Sequence, residues 1–207
     1  YLTLAANQNH IAAQCQLSLI YIEGKYVKKD PNKSIHYLTL AANQNDPNAQ
    51  YYIGNIYYEG ILVTRDINKS IYYFTLAAKQ KHIKSNFYLG LIFYEGEYIK
   101  PNINKSIKYF TFAADQNHVA SMYYLGLIYY EGKYIKRDIT KSIYYFTLAA
   151  NRNHSDAQFF LAYIYRKEYV KRDISKYIHY LTLAANQNHS DSQLILGFSY
   201  LFGLDCE

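Results

Sequence analysis

One stretch returns along this chain at a nearly fixed interval. Asp138-Ile-Thr-Lys-Ser-Ile-Tyr-Tyr-Phe-Thr-Leu-Ala-Ala-Asn-Arg-Asn-His154 comes back, with small changes, at 30–46, 66–82, 102–118 and 173–189. Residues 1–10 are the tail of a further copy. Asp30, Asp66, Asn102 and Asp138 lie 36 residues apart, and Asp173 follows after 35. A period in this range belongs to solenoids, whose units are too small to bury an apolar face alone and do so by stacking on neighbours. The expected fold is an all-α solenoid of antiparallel helix pairs in a single array over 1–207. Full repeats fall at 11–46, 47–82, 83–118, 119–154 and 155–189, with partial repeats at 1–10 and 190–207. The first residue lies inside a repeat, so the sequence reads as a segment of a longer chain.

Each repeat reads as two helices, A then B. Helix A is clearest in Pro47-Asn-Ala-Gln-Tyr-Tyr-Ile-Gly-Asn-Ile-Tyr-Tyr-Glu-Gly60, where Ala49, Ile53, Ile56 and Tyr57 share one apolar face. Gly54, Gly90, Gly126 and Gly197 recur after the large aliphatic residue, with Ser18 and Ala162 standing in. A small residue there lets two helices approach. Gly24, Gly60, Gly96, Gly132 and Gly203 are placed to stop helix A. Helix B begins at the recurrent Asp or Asn, whose side chain can accept from the free N–H groups of the first turn. It ends near Asn9, Asn45, Asn117, Asn153 and Asn188, with Lys81 as the exception. Asparagine tolerates the left-handed conformation of a helix C-terminus.

Half of the residues are apolar and 18% are charged, which describes a folded chain and excludes a disordered one. No apolar run is long enough to span a membrane. Cys15 takes a position held elsewhere by Tyr51, Phe87, Tyr123, Phe159 and Leu194, and reads as a buried apolar residue. Cys206 is too far along the array to pair with it. Low cysteine use favours a cytoplasmic compartment. Asn-x-Ser sequons at Asn32, Asn68, Asn104, Asn153 and Asn188 leave a secretory lumen open, although an Asn-rich repeat generates them by itself.

These residues resemble the Sel-one-like repeat family, relatives of the tetratricopeptide repeats. Ala49, Ile53, Gly54, Tyr57, Gly60, Val63, Asp66, Lys69, Tyr73, Phe74, Ala77 and Ala78 carry the family pattern. The resemblance implies a right-handed superhelix with A helices lining the concave side, and an adaptor role in assembly or signalling. The family's second loop glycine is replaced by Tyr26, Leu62, Tyr98, Tyr134 and Tyr169. The basic residue that commonly precedes Ala-Ala is here Leu40, Leu76, Phe112, Leu148 and Leu183. The fifth repeat lacks the stopping glycine and carries Tyr177 where others have serine, so a bend and early local opening are expected there. Cysteine-rich bacterial members suspected of hydrolase activity carry paired cysteines that are absent here.

Three surfaces are candidate partner sites. The first is the groove row Tyr52, Tyr88, Tyr124 and Phe160, with Asn55, Leu91, Leu127 and Tyr163 beside it. Aromatic rings give contact area at small entropy cost. The same rings would equally serve to cover the seams between helices. The second is a basic edge, Lys28, Lys29, Arg65, Lys100, Lys136, Arg137, Lys171 and Arg172, before the helix B caps, with Lys33, Lys69, Lys105, Lys141 and Lys176 after them. A net charge of +6 suits acidic proteins or phosphate, but near-identical units cannot read a base sequence, so no sequence-specific nucleic acid is expected. The third is the apolar row Leu40, Leu76, Phe112 and Leu148, which could pack laterally in an assembly. Uncapped ends also predict end-to-end self-association.

No nucleophile, base and orienter come together in the pattern, so no catalytic residue, metal or cofactor is expected. His10, His82, His118, His154 and His189 are one repeat position seen five times, about one helix spacing apart, and read as surface-loop histidines. His36 and His179 occupy a permissive, exposed position on helix B.

Overall fold

The computed structural model describes residues 1–166, Val170 and 172–202, and every regular element among them is an α-helix. The chain divides into two compact units, Tyr1–Asn102 and Ile103–Glu207. The first contains α1 (Leu2–Asn7), α2 (Ile11–Glu23), α3 (Pro31–Asn43), α4 (Pro47–Glu59), α5 (Ile67–Lys79) and α6 (Ile83–Glu95). The second contains α7 (Ile103–Asp115), α8 (Val119–Glu131), α9 (Ile139–Ala150), α10 (Ser155–Arg166), α11 (Ile174–Asn186) and α12 (Ser190–Phe202). Even-numbered helices are the A helices and odd-numbered ones the B helices. Residues 167–169, Lys171, Gly203 and Cys206 lie outside the described residues, and with them part of the irregular fifth loop.

Local chemistry makes each corner. Asp30, Asp66, Asp138 and Asp173 accept from the backbone N–H of Lys33, Lys69, Lys141 and Lys176 at 2.9–3.0 Å. The N–H of each of these aspartates donates back to the preceding A helix, at Tyr21, Tyr57, Tyr129 and Tyr165. Gly60 ends α4 with φ of +69°, a conformation that side chains rarely adopt. At the other corner, Asn9, Asn45, Lys81, Asn117, Asn153 and Asn188 all have φ between 61° and 66°. The next N–H, from His82 for example, closes the helix B terminus on Ala77 O at 3.1 Å.

The core of each hairpin follows from a size exchange between its two helices. Phe74 and Phe146 are fully buried on α5 and α9. They fit because Gly54 and Gly126 face them; a Cβ on either glycine would stand 2.7 or 2.5 Å from the ring. Where helix B has leucine instead, at Leu38 and Leu181, the facing residue is Ser18 or Ala162. Burying each phenylalanine contributes about 2–3 kcal/mol relative to exposure. Tyr177 is buried beside Ala162, Leu181 and Leu196, so the smaller leucine makes room for the ring.

Buried glutamines tie one hairpin to the next. Gln50 donates to Ala42 O at the end of α3 and accepts from Gln80 at 2.9 Å. Gln14 does the same with Ala6 O and Gln44, and Gln158 with Ala150 O and Gln187. In the fourth repeat both partners change together. Met122 replaces the buried glutamine, and Arg152 turns to Asn117 and Leu148 O. A buried amide with no partner costs about 1–3 kcal/mol, which fits the apolar Met122 standing where the partner glutamine has become Arg152.

Candidate functional site

The aromatic row lies on the A helices, and its members differ in what they touch. Tyr88 on α6 stacks on Phe74 with centroids 5.2 Å apart. Tyr124 on α8 stacks on Phe110, and Phe160 on α10 on Phe146, each also at 5.2 Å. Tyr51 and Tyr58 complete a four-ring cluster with Phe74 and Tyr88. Tyr123 and Tyr130 do the same around Phe146 and Phe160. Burial pushes the phenols of Tyr58 and Tyr123 up to about 12, with Glu95 and Asp156 adding to it. These hydroxyls stay protonated at neutral pH and act as hydrogen-bonding groups. Three of the four row residues are therefore half-buried packing between repeats. Tyr52 is 53% exposed and Tyr163 36%. Leu91 is buried, Leu127 half-buried, and Asn55 Oδ1 is buried without a hydrogen-bond partner.

The basic edge is exposed at Lys29, Arg65, Lys100, Arg137 and Arg172. Arg65 lies over the Tyr98 ring and donates to its hydroxyl; Arg137 lies 4.9 Å from the Tyr130 centroid. The lysines after the caps are engaged within the chain. Lys33, Lys69, Lys141 and Lys176 pair with the capping aspartates at 3.4–4.0 Å and stand over Tyr21, Tyr57, Tyr129 and Tyr165. Each of those tyrosines lies flat on a helix B tyrosine, as Tyr57 does on Tyr73 at 6.2 Å. Exposed ion pairs contribute little, so the cation over the ring sets the lysine's position. Leu40, Leu76, Phe112 and Leu148 are all half-buried. More exposed apolar side chains include Leu19, Val27 and Ile61, Leu194, Phe198, Leu201 and Phe202 on α12, and Leu2 and Leu4 on α1.

The recurrent histidines have a structural task that sequence reading missed. Nδ1 of His10, His82, His118, His154 and His189 accepts the backbone N–H three residues on, at 3.2–3.4 Å. They are N-caps of the A helices and not loop ornaments. Asp46 takes the same role at 2.7 Å, and its presence in that register was the available signal. Burial lowers the pKa of His82 and His154 and keeps Nδ1 unprotonated, as a cap requires. His36 and His179 are exposed on α3 and α11. Cys15 is half-buried where full burial was expected; burial, then Asp46, raises its pKa and keeps the thiol protonated. Among the described residues, no three His, Cys, Asp or Glu side chains gather where they could hold a metal ion.

A model of the Sel1 repeat matches residues 11–46, 47–82, 83–118, 119–154 and 155–189. This chain belongs to the Sel1 repeat family. No curated protein matches the sequence. Among solved structures, a Sel1 repeat protein from Oxalobacter formigenes is 29% identical with a TM-score of 0.81, covering 95% of this chain and 81% of that one. A protective antigen of uropathogenic Escherichia coli with an SLR fold is 25% identical with a TM-score of 0.54, covering 97% of this chain and 51% of that one. An immunity protein from Pseudomonas aeruginosa shares the fold at 20% identity and a TM-score of 0.51, covering 89% and 71%. Sel1 repeats generally serve as protein-interaction scaffolds. In the first, second, fourth and fifth repeats the recurrent Asp-x-x-Lys step is a helix cap followed by a lysine laid on a tyrosine pair. Among the described residues, no helix is long and apolar enough to cross a membrane.

Proposed function

We propose that this chain is a non-catalytic scaffold that holds a segment of a partner protein on the face of its A helices, with Tyr52 as an exposed anchor. The observation that carries this reading is the exposure of Tyr52, while the rings in its register, Tyr88, Tyr124 and Phe160, are spent on packing. An exposed aromatic ring that carries a hydroxyl suits a peptide backbone. Tyr88 and Tyr124 are poor probes, because removing either uncovers Phe74 or Phe110. The test is capture of partners by the full-length protein carrying Tyr52→Ala. Loss of a specific partner with unchanged melting is expected; unaltered capture overturns the reading. Lateral assembly through Leu40, Leu76, Phe112 and Leu148 is the weaker alternative, since those side chains are half-buried.

A further inference from the structure

The first two repeats meet around a hollow of about 210 Å³, lined by Cys15, Ser18, Ile22, Leu38, Tyr52 and Asn55 among others. Its origin can be read by register. Around Phe74 the seam is filled by Tyr51, Tyr58 and Tyr88, and around Phe146 by Tyr123, Tyr130 and Phe160. The residues at the matching positions here are Cys15, Ile22, Leu38 and Tyr52. Three rings of four are missing, and only Tyr52 remains.

We infer that this hollow is a binding site for one aromatic side chain of a partner protein, taken in beside Tyr52. The chain itself shows what the space accepts, since the same scaffold fills it with rings at two other seams. Apolar cavities of about 150 Å³ take up benzene, so the volume admits a single ring. Asn55 adds a preference. Its buried Oδ1 at the wall has no hydrogen-bond partner, which favours a ring bearing a donor, as in tryptophan or tyrosine. Ser18 keeps the site open. A Cβ at the matching Gly54 or Gly126 would stand 2.7 or 2.5 Å from the phenylalanine, so Ser18 excludes a phenylalanine at position 38.

This inference rests on the scaffold reading but is tested without a partner. In an NMR titration of the full chain, indole is expected to shift amides of α2 and α4 to saturation. Ser18→Gly with Leu38→Phe restores the central ring of the filled seams and is expected to weaken indole at least tenfold. If that pair does not fold, Ile22→Tyr, which restores the ring of Tyr58 and Tyr130, must weaken it in the same direction. Indene, which lacks the N–H, is expected to bind several-fold more weakly, and equal binding removes Asn55 from the site. No shifts on α2 and α4, or indole binding untouched by both variants, overturns the inference. Indole binding together with unaltered partner capture by the Tyr52→Ala variant would keep the hollow and sink the scaffold reading alone.

Discussion

The seam between the first two repeats and the seam around Phe146 are built on the same backbone, with the same aspartate caps on helix B and the same corners. One encloses a hollow beside Leu38, and the other is closed by Tyr123, Tyr130, Phe146 and Phe160. The difference separates what makes the fold from what fills it. Capping aspartates, left-handed asparagines and the paired alanines are common to both seams, so helix geometry does not depend on the rings. The cap varies with the filling. His154 stacks on Tyr123 at 4.5 Å, whereas Asp46 stands at the cap where the ring has become Cys15.

Truncation should give the largest contrast. Phe146→Ala removes a fully buried ring from a closed cluster and should cost about 3–5 kcal/mol in urea unfolding. Leu38→Ala, beside existing empty space, should cost about 2 kcal/mol. Equal costs would mean that the two seams are equally well packed. Next comes Gly126→Ala, whose methyl group would meet Phe146 at 2.5 Å and should destabilise by about 1–3 kcal/mol. Adding Phe146→Leu, which copies the Ser18 and Leu38 arrangement, should return part of that loss; no recovery breaks the size-exchange argument.

The smallest effect is in the caps. His82 and His154 have pKa values lowered by burial, so the folded chain binds fewer protons there than the unfolded one. Their contribution is complete above the unfolded value of about 6.5 and is lost as pH falls through it toward the folded value. Lys84 adds to the lowering at His82 and Asp46 opposes it, while Asp156 opposes it at His154. A cap contributes about 1 kcal/mol. Melting temperature should therefore drop between pH 7 and 5. Aspartate titrates near 3.9, so His154→Asp should flatten that drop. A profile identical to the parent's would show that the cap is not what titrates.

The repeat, its corners and its stopping residues were legible because each depends on neighbours in sequence. Asp30 caps a helix three residues away, and Gly60 ends the helix it adjoins. Even Lys81, an exception by residue type, adopts the left-handed conformation that the register demands. The histidine caps were equally local, yet their recurrence suggested a surface position, and Asp46 in the same register was passed over. What could not be read was pairing across helices. Gln14 with Gln44, and Gln50 with Gln80, are 30 residues apart and meet only when a hairpin closes. The row of Tyr52, Tyr88, Tyr124 and Phe160 aligned perfectly by period. Nothing in the alignment told which of them had a phenylalanine beneath it until the partner helix was placed.

The corners close with bonds between residues no more than nine positions apart, as when Asp66 N–H meets Tyr57 O. Nothing in such a joint consults a residue in a distant copy. A gene for such a chain can gain or lose whole modules by recombination between its own near-identical segments, and every surviving junction remains valid. The fifth module, one residue shorter, still forms its cap at Asp173 and its left-handed corner at Asn188. The number of modules is then free to vary wherever those corner residues are kept.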